Sequence, residues 1–371
     1  MIIGIDIRDL KLAETGQRTT LEETCRQFKS GAYSNHTFHF FDTSLPVYSG
    51  RNKALLLLSH LQMQFWKQVT LPFKAWRKKC DILFCNDYFT PLVTPGFKTV
   101  QVFHDAFFFE YPQHYNRIWL VMFKLLALPA ARRCKYVVVP TNYARERVHH
   151  FTRIPKEKLV TIFEGPKTFP VTDTATALPA QLQGAQNCRY ILHVGVMEKR
   201  KNLPALIKAY KMLLNEGYTG YKLVLVGKGS GKTHSDSAGE VAELIKILQL
   251  EQHVLVPGYL TNEELAHAYA HADMYVFPSV NEGFGIPVLE AFRFNLPVLV
   301  ANNTCLPEVG GDAVLTFNPF DEKDICNKIK LVIDTPALKE QLQLKGKERL
   351  ALFSWEKAAA ELFEVFKMAV A

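Results

Sequence analysis

Two glutamates between residues 281 and 292, in the sequence NEGFGIPVLEAF, have the types and the spacing for binding a ligand. Glu282 lies in a glycine turn, Gly283-Phe284-Gly285, and Glu290 follows after seven intervening residues. The apolar run 274–277 before the turn indicates a buried strand. A strand, a glycine turn and a helix direct backbone N–H groups and the positive end of a helix dipole toward an anion such as a phosphate. Glu290, about two helical turns further on, would face the same side.

Two further groups of polar residues also follow apolar strands. Arg200 and Lys201 come shortly after the strand 190–194, and such cations can clamp a diphosphate through bidentate and point-charge contacts. A solvated charged loop would explain them as a lone motif, but they leave the same predicted sheet as the glycine turn. His104-Asp105 follows a strand in the first half, where a satisfied core histidine and a ligand contact are both open.

The stretch Gly227–Thr233, GKGSGKT, resembles a phosphate-binding P-loop but has the wrong spacing. A P-loop needs four residues between its first glycine and the Gly-Lys-Thr group, whereas this stretch has three. A kinase or nucleotide hydrolase is therefore disfavoured, and a flexible loop beside a ligand cleft is the better interpretation. No G-x-G-x-x-G follows the first strand, which also weakens a nicotinamide or flavin hypothesis.

The 371 residues are enough for two domains of roughly 150–200 residues each. With 48% apolar and 22% charged residues, disorder is excluded. The net charge of +8 is uneven, because residues 1–187 carry 24 Lys+Arg against 14 Asp+Glu (+10) and residues 188–371 carry 20 against 22 (−2). The basic half fits anionic headgroups or a phosphorylated substrate as well as a solvated surface, and we expect no nucleic-acid partner.

The cysteine, carboxylate and apolar patterns limit the compartment and the cofactors. Seven cysteines without a Cys-x-x-Cys pair indicate a reducing cytosol rather than disulfides or a zinc site. The N-terminus lacks a signal-peptide pattern, and no run of 18 apolar residues occurs, so we expect a cytoplasmic protein without a spanning helix. No Asp-x-Asp occurs, so we predict that no metal is bound and that Arg200, Lys201 and helix N-termini neutralise a diphosphate.

The alternation of apolar strands with helices predicts an α/β fold with parallel sheets and a ligand cleft at the strand carboxyl ends. We predict domains over 1–165 and 189–352, a Thr- and Pro-rich linker over 166–188, and a C-terminal helix over 353–371 that could pack back on the first domain. A long helix over 54–76 is predicted to be interrupted at Pro72, and a strongly apolar helix over 117–131.

Several runs of the second half together resemble family 4 of the retaining glycosyltransferases, which have the GT-B fold of two facing Rossmann-like domains with a cleft between them. The matching runs are HVGVMEKRKNLPALIKAY at 193–210, LVLVGKGS at 223–230, the stretch 256–292 with its two glutamates, and LPEVGGDAVL at 306–315. The first half is looser but in register, at 4–10, Thr15-Gly16, His104-Asp105 and 140–148, and the helix 353–366 also matches.

The resemblance implies retaining, metal-independent transfer of a mannose-like or glucose-like hexose from a nucleotide-sugar to a glycan or lipid-linked glycan, in polysaccharide biosynthesis and without a cofactor. His104, Glu282, Arg200 and Lys201 would then act at the reacting centre. Glu282 would position the sugar, Glu290 the ribose, and the two cations the diphosphate. The remaining residues implied to bind the donor are Gly16, Asn202, Gly258, Tyr259, Leu260, Gly283, Phe284, Gly285 and Ile286.

Two departures from the family pattern keep alternatives open. Val196 stands where the family usually has arginine, although the run Arg200-Lys201-Asn202 matches a subgroup that moves the positive charge there. The first loop, with Thr15-Gly16, has one glycine instead of Gly-x-Gly, and Arg18 is a candidate substitute. A non-catalytic nucleotide-binding partner and a sugar-nucleotide epimerase of the same fold are the alternatives.

The apolar run 118–126 has basic neighbours and favours a buried core helix over a membrane-surface helix. A peripheral contact of the basic half with the inner face of the cell membrane stays open.

Overall fold

A computed structural model describes residues 1–11, 16–45, 48, 50, 52–170, 178–231 and 235–371. The chain divides into two compact units, one formed by Met1–Glu164 with Ser354–Ala371 and the other by Gly165–Phe353. Each unit contains a six-stranded parallel sheet between helices, so the predicted α/β class is confirmed. The predicted linker lies partly outside the described residues, at 171–177.

The sheet of the first unit has the strand order β2-β1-β3-β4-β5-β6, and all its neighbours are parallel. The inner strands are nearly continuous apolar runs because helices cover both faces. The strand order reverses between β1 and β3, which makes their carboxyl ends the expected ligand position. The strands are β1 Ile2–Asp6, β2 Thr37–Phe41, β3 Ile82–Cys85, β4 Lys98–Val102, β5 Tyr136–Val139 and β6 Leu159–Thr161.

The sheet of the second unit has the order β12-β11-β10-β7-β8-β9, again all parallel. Its reversal point lies between β7 and β10, where a crevice opens at the strand ends. The last strand, β12, was not predicted, because its four residues contain only one fully apolar face. The strands are β7 Arg189–Val194, β8 Tyr221–Val226, β9 Val254–Gly258, β10 Met274–Phe277, β11 Val298–Ala301 and β12 Val314–Phe317.

Helices connect the strands of both sheets, and short ones lie at residues 107–110 and 306–310. Those of the first unit are α1 Gly16–Lys29, α2 Lys53–Phe65, α3 Leu71–Arg77, α4 Phe107–Glu110, α5 Arg117–Met122, α6 Leu128–Arg133, α7 Asn142–Thr152 and α15 Trp355–Val370. Those of the second unit are α8 Leu203–Asn215, α9 Ala238–Ile247, α10 Asn262–Ala270, α11 Ile286–Arg293, α12 Leu306–Gly310, α13 Glu322–Asp334 and α14 Pro336–Leu350.

The predicted interruption at Pro72 is wrong, because the chain stays helical from α2 through α3. A π-helical segment, Trp66–Thr70, joins the two helices, and the Leu71 N–H donates to the Trp66 carbonyl. Pro72 then lies in the first turn of α3, where a missing N–H donor does no harm. A second π-helical segment, Phe123–Ala127, joins α5 to α6 in the same way.

The C-terminal helix α15 packs in the core of the first unit. Its apolar side chains, including Leu362 and Phe366, share one buried cluster with Ile3 and Phe84. Ser354 begins the helix by accepting a hydrogen bond from the Lys357 N–H, as a serine N-cap does.

Candidate active site

The loops after β7 and β10 meet because these strands are neighbours in the second sheet. The loop after β7 carries Arg200 and Lys201, and the loop after β10 carries Glu282. A backbone hydrogen bond from Val280 N to Arg200 O, 2.8 Å long, joins the two loops. The sheet topology thus places residues that are 82 positions apart in the sequence at the reversal point of the strand order.

One oxygen of Glu282 is held by three donors. Its Oε1 accepts hydrogen bonds from Arg200 Nη1 at 2.8 Å, Lys201 Nζ at 2.6 Å and Ser279 Oγ at 2.6 Å. Within the described part of the chain, Glu282 Oε2 accepts no hydrogen bond. The carboxylate is buried at 7% exposure, and the hydrogen bonds to one of its two oxygens fix its orientation.

The electrostatics keep Glu282 ionised at neutral pH. Burial opposes the charged form, but Arg200 and Lys201 outweigh it and lower the pKa of Glu282 to about 2. Lys201 is also buried, and its ammonium lies 4.6 Å from the centre of the Phe277 ring. A carboxylate that is so strongly paired accepts hydrogen bonds well and takes up a proton poorly, which suits a positioning group.

Glu290 uses its two oxygens in the same divided way. Tyr269 Oη donates to its Oε2 at 2.7 Å, and no described residue donates to its Oε1. Burial raises the pKa of Glu290 above its usual range. The phenol of Tyr275 is buried, 3.4 Å from Val194 O, and its pKa is raised well above normal by burial, then by Glu290 and then by Glu282.

The glycine turn before α11 needs its glycine. Gly285 adopts φ 97°, and a Cβ there would lie 2.9 Å from Leu306 Cδ2. Phe284 is buried and packs edge-on against Phe353, while Cys305 Sγ donates to the carbonyls of Glu282 and Phe284. Gly283 and Ile286 complete the turn, and Ile286 begins α11 with its side chain buried. The backbone beside Glu282 is therefore rigidly held.

The loops after β8 and β9 approach the cation-bearing loop by backbone contact. Gly227 has φ 141°, and a Cβ there would lie only 2.0 Å from Gly195 O. Gly227 N donates to Gly258 O at 2.9 Å, which brings in the loop with Gly258, Tyr259 and Leu260, three of the residues predicted to bind the donor. Tyr259 is 71% exposed and Leu260 is buried. Lys232 and Thr233 of the P-loop-like stretch lie outside the described residues.

Asn202 is placed differently from the other residues of its run. It adopts a left-handed conformation with φ 53°, begins α8 without a side-chain cap, and its Nδ2 donates to Pro319 O at 2.7 Å. The side chain therefore ties the loop to the segment after β12 and makes no contact with Glu282.

His104 lies in the first unit, directly after β4, and is buried. Its Nε2 is 2.8 Å from Asn86 O, and its Nδ1 is 3.8 Å from Glu164 Oε1. Burial opposes protonation, but the carboxylate of Glu164 outweighs it and raises the pKa of His104. Thr20 Oγ1 lies 2.9 Å from Gly16 O and 2.8 Å from Glu164 Oε1, within donating distance of either, and so links the histidine to the first residue of α1. The structure thus joins Gly16 and His104, while Thr15 lies outside the described residues.

A buried charge cluster lies at the reversal point of the first sheet. Lys67, which is fully buried, has its Nζ 2.7 Å from Asp6 Oδ2, 3.2 Å from Asp9 Oδ2 and 2.8 Å from Asp87 Oδ1. Burial opposes its charge, but the three carboxylates raise the pKa of Lys67 well above normal. The ammonium therefore stands between carboxylates that would otherwise repel one another.

Sequence reasoning missed several residues that shape these sites. They are Ser279, Tyr269 and His193 in the second unit and Thr20, Asn86 and Glu164 in the first. His193 is buried beside Lys201, and burial lowers its pKa to about 3, so it is neutral. The sequence showed that His193 lies at the end of an apolar strand. It could not show the partners of Tyr269 and Glu164, which lie 21 and 144 positions away.

Within the described ranges, no group of three or more His, Cys, Asp or Glu side chains could hold a metal ion. The chain's described helices also include none that is long and apolar enough to cross a membrane.

Comparisons with known proteins match both halves of the chain. The model of the glycosyl transferases group 1 matches residues 176–349, and that of glycosyltransferase family 4 matches residues 16–166. O-antigen chain mannosyltransferase B of Escherichia coli is 28% identical over 277 residues, which are 73% of this chain and 70% of that protein. O-antigen chain mannosyltransferase RfbU of Salmonella typhimurium is 28% identical over 273 residues, with the same coverage.

Solved structures with the same fold cover nearly the whole chain. Sucrose-phosphate synthase from Thermosynechococcus elongatus has a TM-score of 0.73 at 19% identity, covering 99% of this chain and 98% of its own. Anabaena HepE in complex with UDP-glucose has a TM-score of 0.73 at 16% identity, covering 99% and 100%. WaaG, a glycosyltransferase of lipopolysaccharide biosynthesis, has a TM-score of 0.69 at 13% identity, covering 99% of both chains.

The two parallel sheets and these structural neighbours show that the protein has the GT-B fold, an α/β fold. The matched models extend from residue 16 to residue 349 with one short gap. The chain belongs to family 4 of the glycosyltransferases, and the predicted resemblance is confirmed.

Proposed function

We propose that the protein is a retaining, metal-independent hexosyltransferase that moves mannose from a nucleotide-sugar to a glycan or lipid-linked glycan of a cell-surface polysaccharide. The observation that carries the proposal is the divided use of Glu282 and Glu290. Each carboxylate has one oxygen held by protein donors and one that accepts no hydrogen bond from the described residues. Two fixed acceptors beside two cations match a ligand that has hydroxyl groups at two places and a diphosphate between them.

Each part of the donor has a proposed contact. Glu282 Oε2 accepts from a sugar hydroxyl, and Glu290 Oε1 accepts from the ribose. Arg200, Lys201 and the first amides of α11 stabilise the diphosphate as negative charge develops on it during departure. The proposed transfer proceeds by attack of the acceptor on the face that the diphosphate leaves, with a departing phosphate oxygen taking the acceptor proton. Glu282, with its pKa of about 2, positions the sugar and forms no covalent bond.

Mannose is proposed as the transferred sugar because two relatives that match 73% of this chain are named mannosyltransferases of O-antigen chains. One structural neighbour, HepE, is bound to UDP-glucose. At 16% identity, the uracil base of that ligand does not restrict the base of the proposed donor. His104, with its raised pKa, is proposed to contact a sugar hydroxyl. Gly16, Gly258, Tyr259 and Leu260 are proposed backbone or base contacts.

Metal independence is proposed on the absence of Asp-x-Asp from the sequence and on the two cations beside Glu282. We also include a peripheral contact with the inner face of the cell membrane, because a lipid-linked acceptor would be presented there.

A donor screen followed by product analysis tests the proposal. Thermal unfolding is measured with GDP-mannose, UDP-glucose and ADP-glucose, and the nucleotide-sugar that raises Tm most is the donor, since a ligand of the native state stabilises it by mass action. Turnover is then measured with and without EDTA, and the anomeric configuration of the product is read by NMR. An inverted product refutes retention, and loss of turnover in EDTA refutes metal independence.

The same experiment separates the proposal from the alternatives. Binding without transfer to any glycan acceptor would support a non-catalytic nucleotide-binding partner, the hypothesis raised by Val196. Conversion of the nucleotide-sugar to an isomer without an acceptor would support an epimerase.

A further inference from the structure

The helical segment from residue 53 to residue 77 has an apolar face that the fold leaves exposed. Leu58, Leu61, Phe65, Val69, Phe73 and Trp76 are each 50–57% exposed. Their spacing of three or four residues places them along one side of the continuous helix. A row of large apolar side chains that lies in water over about five helical turns is costly, so this face is expected to have a partner.

The core of the first unit does not account for this face, because a different side of the same segment already packs there. Met63, Trp66, Leu71 and Ala75 are all less than 10% exposed and belong to buried clusters. The segment is therefore apolar on two sides, one buried and one exposed. The π-helical turn Trp66–Thr70 adds a residue to the helix and keeps the exposed row continuous from α2 to α3.

The charged residues along this part of the sequence are all basic, although one of them, Lys67, is buried among three aspartates and does not face solvent. No Asp or Glu occurs from residue 43 to residue 80, whereas seven Lys or Arg do. Arg77, Lys78 and Lys79 follow the last apolar residue of the row and are exposed. The face is thus an apolar stripe that ends in three cations.

A second helix repeats this pattern in the same unit. Phe123 lies in the same buried cluster as Met63. On the exposed side of its helix, Ile118, Val121 and Leu125 are 47%, 54% and 67% exposed, and no acidic residue occurs from 111 to 145. The apolar run 118–126 is therefore divided between core and surface, which corrects the interpretation of it as a core helix alone.

We infer that the exposed face of residues 53–77 lies on the surface of an anionic lipid bilayer. The row from Leu58 to Trp76 would enter the boundary between headgroups and acyl chains, and Arg77, Lys78 and Lys79 would contact lipid phosphates. This deepens the membrane contact in the proposed function by naming its surface. A second copy of the chain fits less well, because a symmetric interface would set two faces of the same charge against each other.

Vesicle co-sedimentation of the full chain, without donor, tests the inference. The protein is expected to bind vesicles that contain phosphatidylglycerol more tightly than pure phosphatidylcholine vesicles, and high salt should weaken this binding. A triple variant, Arg77→Gln, Lys78→Gln and Lys79→Gln, removes three charges worth about 1 kcal/mol each. Its binding is expected to be about 100-fold weaker.

A second variant and a matched control address the apolar row. Leu61→Gln with Phe65→Gln is expected to lose binding, while Leu344→Gln, at a 62% exposed leucine of α14 in the second unit, should bind as the original protein does. Trp76 gives a local signal, since the fluorescence blue shift on anionic vesicles should disappear in Trp76→Phe. Circular dichroism and Tm establish that each variant is folded.

Three results would overturn the inference. The first is no binding of the original protein to anionic vesicles. The second is equal binding by the Leu61/Phe65 variant and the Leu344 control. The third is a dimer, seen by light scattering, that dissociates in the Leu61/Phe65 variant, which would assign the face to a second copy. Binding to vesicles by a protein that transfers no sugar would refute the proposed activity and leave this inference intact.

Discussion

Replacing Glu290 with glutamine tests whether its carboxylate binds the ligand or serves only the structure. One oxygen, Oε2, accepts from Tyr269, so only Oε1 is available to the donor. A glutamine that keeps the Tyr269 contact with its carbonyl presents an N–H where an acceptor is needed. A hydrogen bond to a charged group contributes about 1.5–3 kcal/mol. Loss of one such bond, at ~2 kcal/mol, raises the Kd of the nucleotide-sugar about thirtyfold.

The same substitution is not expected to lower the stability of the fold relative to the original protein. At alkaline pH it is expected to stabilise the fold. Burial raises the pKa of Glu290, so the folded state binds more protons than the unfolded state. The free energy of unfolding therefore falls as the pH rises above the ordinary pKa of the carboxyl group. Glu290→Gln removes this loss, so its Tm relative to the original protein should increase from acid to alkaline pH.

Two measurements on one preparation check both expectations. Isothermal titration with the nucleotide-sugar found in the donor screen gives the Kd, and thermal unfolding across pH gives the change in stability. Glu322→Gln is the matched control, because Glu322 is an exposed partner of Lys208 in the same unit. Unchanged donor affinity in Glu290→Gln, or a Tm below the original at every pH, would refute the reasoning.

Three other changes test the charges around the sites. Lys201→Met is expected to raise the Kd for a nucleoside diphosphate about tenfold or more, because it removes one charged donor, while Lys208→Met should leave titration unchanged. Lys67→Met leaves buried Asp6 without its cation, at about 3–5 kcal/mol, so Tm should fall by about 6–20 °C, and an unchanged Tm contradicts the cluster's role. His104→Gln should cost more stability at about pH 6 than at about pH 9. The raised pKa of His104 stabilises the folded state at low pH, and this stabilisation is lost as the pH rises through that pKa. Equal losses in Tm at both pH values would show that Glu164 does not favour the protonated ring.

Much of the fold could be predicted because parallel strands buried on both faces are apolar runs. Strands such as Arg189–Val194 and Met274–Phe277 have this pattern and were predicted within a residue of their observed bounds. The strand Val314–Phe317 was not predicted. Two of its four residues are only half-buried, so it lacks the pattern of a fully buried strand. The interruption predicted at Pro72 was wrong because a π-helical turn before it lets the helix continue. No local sequence pattern indicates that turn.

The candidate site could be predicted only as far as single loops. The residues after β7 and β10 were visible as a cation run and a glycine turn, and parallel strands put both at one edge of a sheet. What the sequence did not indicate is which groups pair within that edge. Ser279 looks like any loop serine, yet its hydroxyl lies 2.6 Å from Glu282 Oε1. Pairings of this kind depend on side-chain packing between distant segments, which no spacing rule encodes.

The pairing changes what Glu282 can do. If only a bound diphosphate held the two cations, binding of the nucleotide-sugar would have to order both long side chains. The entropic cost would be about 1.5–2 kcal/mol per side chain. Glu282 Oε1 instead fixes Arg200 and Lys201 beforehand. An ammonium has three N–H donors, and the Lys201 contact with Glu282 uses one of them. In the proposed function, the carboxylate orders its own neighbours and also contacts the sugar through Oε2. We therefore predict that Glu282→Gln weakens donor binding and slows transfer together.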